Sequence, residues 1–318
     1  MFSFGWGNSV AVREALLLKN GPWFSSLKEL EAMDYPPNEG LPELIALTKK
    51  LTKEHYFGDF KYVAVTGGAH HAIATILRAF RSEFISASIG KTHFSFYPRL
   101  IEKENYTIFT DNVVGKKILN IIDSPSNPKG FLTTYDSILS DNILWDAVYN
   151  NGIFNKLPGI NPGNNSRFFV GSFSKFTGLN GIRLGWIGCN SLEDFNKIHT
   201  EIVNDTLGIS VPSQNLMIDI LKDVDIDDFV LRAAAKIDNN RGEMLKLEKF
   251  LQVPVPVNGM FYLGKMDKDA TSLFKKAGVD YIEGSTCGAP GYGRLNLAQN
   301  NNYTKEMVKA VLLSDTVK

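Results

Sequence analysis

Ser172-Phe-Ser174-Lys175-Phe-Thr-Gly178-Leu-Asn-Gly181-Ile-Arg183-Leu-Gly185-Trp186 sets one lysine beside two serines, with an arginine eight positions on. It follows Arg167-Phe-Phe-Val-Gly-Ser172, whose adjacent apolar residues predict the end of a buried strand rather than a solvated loop. An ammonium at such a place is costly. Burial and a neighbouring cation such as Arg183 weaken a free amine's hold on its proton, and imine formation with an aldehyde removes most of the charge. Ser172, Ser174 and Arg183 are the residue types that hold a phosphate dianion, while Gly178, Gly181 and Gly185 permit close backbone approach. The stretch thus has an imine end and a phosphate end, as an aldehyde cofactor bearing a phosphate requires. A surface lysine beside a Gly-rich turn is the alternative reading at this point.

Outward from it, strands alternate with helices, the mark of a parallel sheet covered on both faces. A strand is expected at 62–66 and a helix at 69–80, joined by Gly67-Gly68, with Ile73, Ile76, Leu77 and Phe80 on one helix face. Further strands are expected at 117–123, 142–145, 167–172 and 186–189. The fold class is α/β, a mostly parallel sheet flanked by helices, and candidate chemistry falls at the strands' C-terminal ends, where such sheets bind ligands. After about residue 210 the pattern changes to helices at 212–222 and 226–251, strands at 258–264, 279–282 and 293–297, and a last helix from Thr304. The expected division is a large domain over 26–210 and a smaller α+β domain made of 1–25 with 211–318.

A chain of 318 residues, 44% hydrophobic and 21% charged, can bury a large core. Its 34 basic and 34 acidic residues balance, so nothing points to nucleic acid or an anionic membrane, and the expected ligand is small. Cys189 and Cys287 have no spacing suited to a zinc site or a disulfide framework, so no metal is expected and a reducing compartment is the default. Residues 1–18 carry Arg13 and Glu14 within the apolar pattern, and no apolar run is long enough to span a bilayer. A soluble, cytoplasmic protein is expected.

Three other segments converge on the lysine. Ser124-Pro-Ser-Asn127-Pro128-Lys-Gly130 closes the strand ending at Asp123; it is either plain turn punctuation or a loop presenting the Asn127 amide to a phenolate oxygen. Trp145-Asp146-Ala-Val-Tyr149 offers a carboxylate that either caps a helix or faces a pyridine nitrogen and keeps it protonated. Gly67-Gly68-Ala69-His70 opens a helix whose amides and dipole favour a phosphate.

The ordered set Gly68-Ala69-His70, Ser126-Asn127-Pro128-Lys-Gly130, Asp146-Ala-Val-Tyr149, Ser172-Phe-Ser174-Lys175, Arg183 and Arg294 resembles the fold-type-I pyridoxal phosphate enzymes, specifically class I/II aminotransferases. The resemblance covers nearly the whole chain. Ser174-Lys-Phe-Thr-Gly178 and Thr206-Leu-Gly-Ile-Ser-Val-Pro-Ser-Gln214 are most similar to the branch holding alliinase and the tryptophan–pyruvate aminotransferases. The resemblance implies pyridoxal 5'-phosphate as cofactor, an imine with Lys175, and proton shuttling by the same amine. It places Asn127 and Tyr149 on the cofactor's 3-oxygen, Asp146 on the ring nitrogen, and Gly68, Ala69, His70, Ser172, Ser174 and Arg183 around the phosphate. Phe94, in His93-Phe-Ser-Phe-Tyr97-Pro98, falls where the family stacks an aromatic on the ring; ordinary core packing is the equal alternative. Arg294 would take the substrate α-carboxylate with a bidentate fork, beside Asn127 and the backbone of Gly7. Tyr35 matches the tyrosine that reaches the phosphate of a neighbouring subunit, which implies a homodimer with shared sites.

The chain also departs from the family's pattern. It begins almost at the substrate loop, and Ala69-His70 stand where a hydroxyl is common. The segment 205–215 lacks an arginine for a distal carboxylate, which favours an apolar or aromatic donor near Trp6, Phe94 or Phe96 over a dicarboxylic one. The expected activity is ping-pong transfer of an α-amino group from an amino acid to a keto acid. A C–S (β-eliminating) lyase would use the same lysine and ring; acyl transfer and a non-catalytic cofactor-binding protein are the remaining alternatives.

Overall fold

The computed structural model describes residues 2–3, 10–17, 35–111, 113, 115–132, 142–156 and 166–316. In chain order the elements are β1 (Phe2–Ser3), α1 (Val10–Leu17), α2 (Pro42–His55), β2 (Tyr62–Thr66), α3 (Ala69–Ala79), β3 (Ser86–Ser88), α4 (Tyr97–Lys103), β4 (Thr107–Phe109), β5 (Ile118–Asp123), β6 (Ile143–Asp146), β7 (Phe168–Ser172), α5 (Phe173–Phe176) and β8 (Gly185–Cys189). There follow α6 (Leu192–Thr206), α7 (Val211–Asp223), α8 (Ile226–Met244), α9 (Glu248–Leu251), β9 (Phe261–Lys265), α10 (Lys268–Lys276), β10 (Val279–Asp280), β11 (Ile282–Glu283), β12 (Tyr292–Asn296) and α11 (Asn301–Thr316).

Seven strands form one sheet in the order β2-β8-β7-β6-β5-β3-β4. Every neighbouring pair is parallel except those of β8, which runs antiparallel to both β2 and β7. Successive residues point to opposite faces, so each strand feeds two cores. Trp145, Phe169 and Trp186 pack in one, and Leu144, Phe168 and Ile187 in the other. Burying each such side chain is worth about 1.5–3 kcal/mol, and the apolar runs that revealed these strands are the direct trace of that two-sided burial.

The later part of the chain builds a three-stranded antiparallel sheet, β11-β12-β9, while β1 pairs in parallel with β10. Helix α1 lies on α8, tied by Lys236 to Glu14 at 3.3 Å, and Ala11 N donates to Ala298 O, just past β12, at 3.0 Å.

Two expected elements divide. The helix expected over 226–251 ends at Met244 and resumes as α9 after a 3₁₀ turn, Leu245–Leu247. A 3₁₀ turn repeats every third residue, which brings both Met244 and Leu247 into the core, each fully buried. The strand expected over 279–282 splits at Tyr281, because Val279–Asp280 pair with β1 and Ile282–Glu283 pair with β12. Strands β3 and β4 carry no strong sequence pattern: Ser86-Ala-Ser88 lacks bulky β-formers, and its backbone pairs on both sides, with β4 and β5.

Candidate active site

The peptide after β7 turns at once into α5, a single helical turn anchored by the buried Phe173 and Phe176. Ser172 caps that turn, its Oγ accepting from Ser174 N at 3.2 Å. The cap orients Lys175, whose Nζ lies 3.4 Å from Asn180 Oδ1. Burial, then the cations Arg183 and Arg294, lowers the Lys175 amine to about 8. At pH 7 such an amine is neutral roughly a tenth of the time, far more often than an ordinary lysine.

Arg183 follows the 3₁₀ turn Asn180–Ile182 with a left-handed backbone, φ 51°. Its Nη1 donates to Asn180 O at 2.9 Å and lies 3.4 Å from Ser174 Oγ. Across from it stands the turn between β2 and α3. Gly68 has φ +92°, and a Cβ there would sit 2.7 Å from Arg183 Nη2, so this turn admits only glycine without displacing the guanidinium. Ser172, Ser174, Arg183 and the first residues of α3 gather at this end of one cavity.

The opposite end is built by β5 and β6. Asp146 is the last residue of β6, not a residue beyond it, and it is buried. Its Oδ2 accepts from Tyr97 Oη at 2.6 Å and its Oδ1 from Val148 N at 3.1 Å, while burial raises the affinity of the carboxylate for a proton. Asp123 ends β5 in register with Asp146 and accepts from Asn127 N at 2.7 Å. Burial first, with Asp146 also raising it against the opposing Asn127 bond, carries Asp123 to about 7. Asn127 Oδ1 accepts from Arg294 Nη1 at 2.8 Å, and its side chain also hydrogen-bonds Tyr149. Arg294, 6% exposed on β12, stacks its guanidinium 4.2 Å from the Phe261 ring centroid. Phe94 is half-buried beside Phe96 and Tyr97, with ring centroids 5.4 and 5.5 Å away.

The cavity between these ends measures about 870 Å³. On its wall stand Lys175, Asp146, Asn127, Tyr149, Arg183 and Arg294, joined by Ala69, His70, Phe94, Ser172 and Ser174. Gly68 is behind the wall rather than on it: the glycine is buried under Arg183, and Gly67 faces the cavity instead. The positive φ of Gly68 lets the turn pass beneath the guanidinium. Tyr35 is 87% exposed and does not stand on the cavity wall. Gly7 lies outside the described residues.

Sequence reasoning passed over Tyr97, Asp123 and His71. The strand-end rule that singled out Asp146 applies equally to Asp123, whereas the Tyr97 contact joins residues 49 positions apart and has no local signal. Among the described residues no cluster of His, Cys, Asp or Glu could hold a metal ion, and no helix is long and apolar enough to cross a membrane. Both cysteines are free and buried.

The donor set suits a phosphorylated pyridine aldehyde. A lysine of lowered proton affinity faces the cavity between a hydroxyl-and-guanidinium end and a carboxylate end, and the glycine turn brings its backbone against the Arg183 guanidinium, where a Cβ would clash. These residues fit pyridoxal phosphate.

Comparison with known proteins agrees. A curated relative, "Probable aspartate/prephenate aminotransferase" of Aquifex aeolicus, is 24% identical over 328 aligned residues, covering 87% of this chain and 82% of the relative. The fold superposes on a mutant aspartate aminotransferase of Thermus thermophilus with a TM-score of 0.81 at 15% identity, covering 98% and 96% of the two chains. It superposes equally on an aromatic aminotransferase of Pyrococcus horikoshii, with a TM-score of 0.81 at 18% identity and coverage of 99% and 96%. Residues 10–311 match the family described as "Aminotransferase class I and II", and the chain belongs to it.

Proposed function

We propose that this aminotransferase moves the α-amino group of an apolar or aromatic amino acid to a keto acid in a ping-pong cycle, each site completed by a second subunit. One observation carries the reading: a lysine, a buried carboxylate and a buried guanidinium share the wall of a single cavity. When bound, pyridoxal phosphate supplies an aldehyde for the amine and a protonated ring that draws electrons from the substrate Cα.

The protein's own groups divide the remaining work. Lys175 offers Nζ to the aldehyde, and its lowered proton affinity makes the nucleophilic neutral form accessible near neutral pH. With pyridoxal phosphate bound, the same Nζ would be the group placed to take the proton from the substrate Cα. Asp146 holds the ring-nitrogen proton; Tyr97 Oη and Val148 N fix its two oxygens, so little reorganisation is needed. Asn127 and Tyr149 would hold the 3-oxygen, and Phe94 would lie against the ring. Ser172, Ser174, Arg183 and the amides of Ala69 and His70 hold the phosphate. Arg294 takes the substrate α-carboxylate, already aimed by Asn127 Oδ1 and the Phe261 face. Phe96, 45% exposed and also lining the cavity, offers an apolar surface to the substrate side chain.

Tyr35, exposed in one subunit, reaches the phosphate of the partner in a homodimer. A soluble, cytoplasmic enzyme divided into a large domain of 26–210 and a small one of 1–25 with 211–318 completes the reading. The test is to mix the yellow holoenzyme with single amino acids, without acceptor, and to follow its spectrum. Conversion to the pyridoxamine form, fastest with apolar or aromatic donors, is expected. Steady release of pyruvate and ammonia instead would replace transamination with β-elimination.

A further inference from the structure

His71 stands on the cavity wall, yet nothing in the catalytic scheme uses it. Its two ring nitrogens are both engaged. Nδ1 lies 2.9 Å from Gly67 N and can only accept that backbone proton. The ring proton therefore sits on Nε2, which points at Asp205 Oδ2 on α6 at 3.3 Å and donates to it. Asp205 is held in turn by Arg78, which also pairs with Glu104 at 3.1 Å and with Glu201 at 3.8 Å. An unbroken chain of contacts thus runs from the surface of α6 to the backbone of the Gly67-Gly68 turn.

That turn has an intrinsic weakness. Two adjacent glycines carry no side chain to pack and lose more conformational freedom on ordering than any other pair. Within it Gly68 N donates to Thr66 O at 2.8 Å, and Arg183 covers Gly68 from the cavity side. The remaining side is Gly67, and the His71 ring lies against it: a Cβ on Gly67 would come 3.2 Å from Nδ1. The guanidinium lies against Gly68 and the imidazole against Gly67.

We propose that His71 is a positioning residue that locks the Gly67-Gly68 turn through its Nδ1, anchored by Asp205, so that the following amides are preorganised for the cofactor phosphate. The proposal rests on the reading of that turn as the phosphate end of the site. Acting through the Gly67 backbone, His71 removes the freedom that phosphate binding would otherwise have to remove, which raises affinity without a new contact.

The experiment titrates cofactor-free protein with pyridoxal phosphate and, separately, with pyridoxal, following the imine absorbance of Lys175. His71→Ala is expected to weaken pyridoxal phosphate binding about five- to tenfold, the scale of one hydrogen bond and a loosened turn, while leaving pyridoxal binding unchanged. His71→Gln, whose amide can accept from Gly67 N and donate to Asp205, is expected to stay within about twofold of wild type. Equal weakening towards both ligands would mean a general structural role and overturn the proposal, as would unchanged affinity in His71→Ala. Should His71→Ala not fold, Asp205→Ala carries the same test at the outer end of the chain, with a smaller loss again confined to the phosphorylated ligand. If wild-type protein formed no imine with pyridoxal phosphate, the proposed function itself would fail, a result distinct from either outcome for His71.

Discussion

Lys175 illustrates how a reactive residue is maintained at a stability cost. Its ammonium is disfavoured by burial, by Arg183 and by Arg294, so its proton affinity falls from an ordinary 10.5 to about 8. In the cofactor-free protein the unfolded chain therefore binds more protons than the folded one between about pH 8 and 10.5, and stability rises with pH across that window. Below about 8 the full penalty of a buried ammonium is present. Lys175→Met is accordingly expected to make the cofactor-free protein more stable at pH 7 by roughly 2–3 kcal/mol, a gain that shrinks as the pH rises past 8. Denaturant melts of both proteins at pH 7 and pH 10 check this, and a pH-independent difference would contradict the assigned origin of the shift. The proposal of Lys175 as the imine residue was legible from its neighbours in sequence. Its lowered proton affinity was legible only in direction, because Arg294 lies 119 positions away and reaches it only through the fold.

At the scale of elements, the site is made of strand ends and the turns that follow them. β5, β6 and β7 bring Asp123, Asp146 and Ser172 to the same edge because parallel strands all end on one side. The turn after β2 belongs to that edge too, since β2 runs in the same direction as β7, with the antiparallel β8 between them. Gly68→Ala tests how far that turn depends on glycine. With φ at +92° and Arg183 Nη2 only 2.7 Å from the added carbon, unfolding free energy is expected to fall by about 1–3 kcal/mol and pyridoxal phosphate affinity to fall with it. Gly181→Ala, where an added Cβ meets nothing within 4 Å, is the matched control and is expected to change stability by less than about 0.5 kcal/mol. Thermal and denaturant unfolding of the pair measures the difference. The Gly67-Gly68 pair was visible in sequence as the opening of a helix, but the reason for the second glycine was not. That reason is the Arg183 guanidinium, 115 positions further on.

At the scale of the whole molecule, Arg294 on the β11-β12-β9 sheet meets Asn127 from the turn after β5, so the proposed substrate carboxylate site exists only where two sheets approach. The proposed reach of Tyr35 to a partner's phosphate raises the same issue between subunits. Mixing Tyr35→Ala with Lys175→Ala protein under conditions of subunit exchange is expected to restore about a quarter of wild-type activity, because a statistical mixture is half mixed dimers, each with one intact site. No recovery above the separate variants would show that Tyr35 does not act across an interface. The α/β class, the strand ends and the lysine, asparagine, aspartate and arginine motifs were determined by sequence alone. Two-sided burial writes itself as apolar runs, and turns that need glycine, proline or asparagine write themselves locally. Tertiary structure alone decided that Tyr97 holds Asp146, that Asp123 stands beside it, that Gly68 lies beneath Arg183, and that His71 braces Gly67. Even the His71 contact, only four residues long, is anchored at its far side by Asp205 on another helix. Such pairings depend on which side chains meet after the layers have packed, and distance along the chain carries no trace of them.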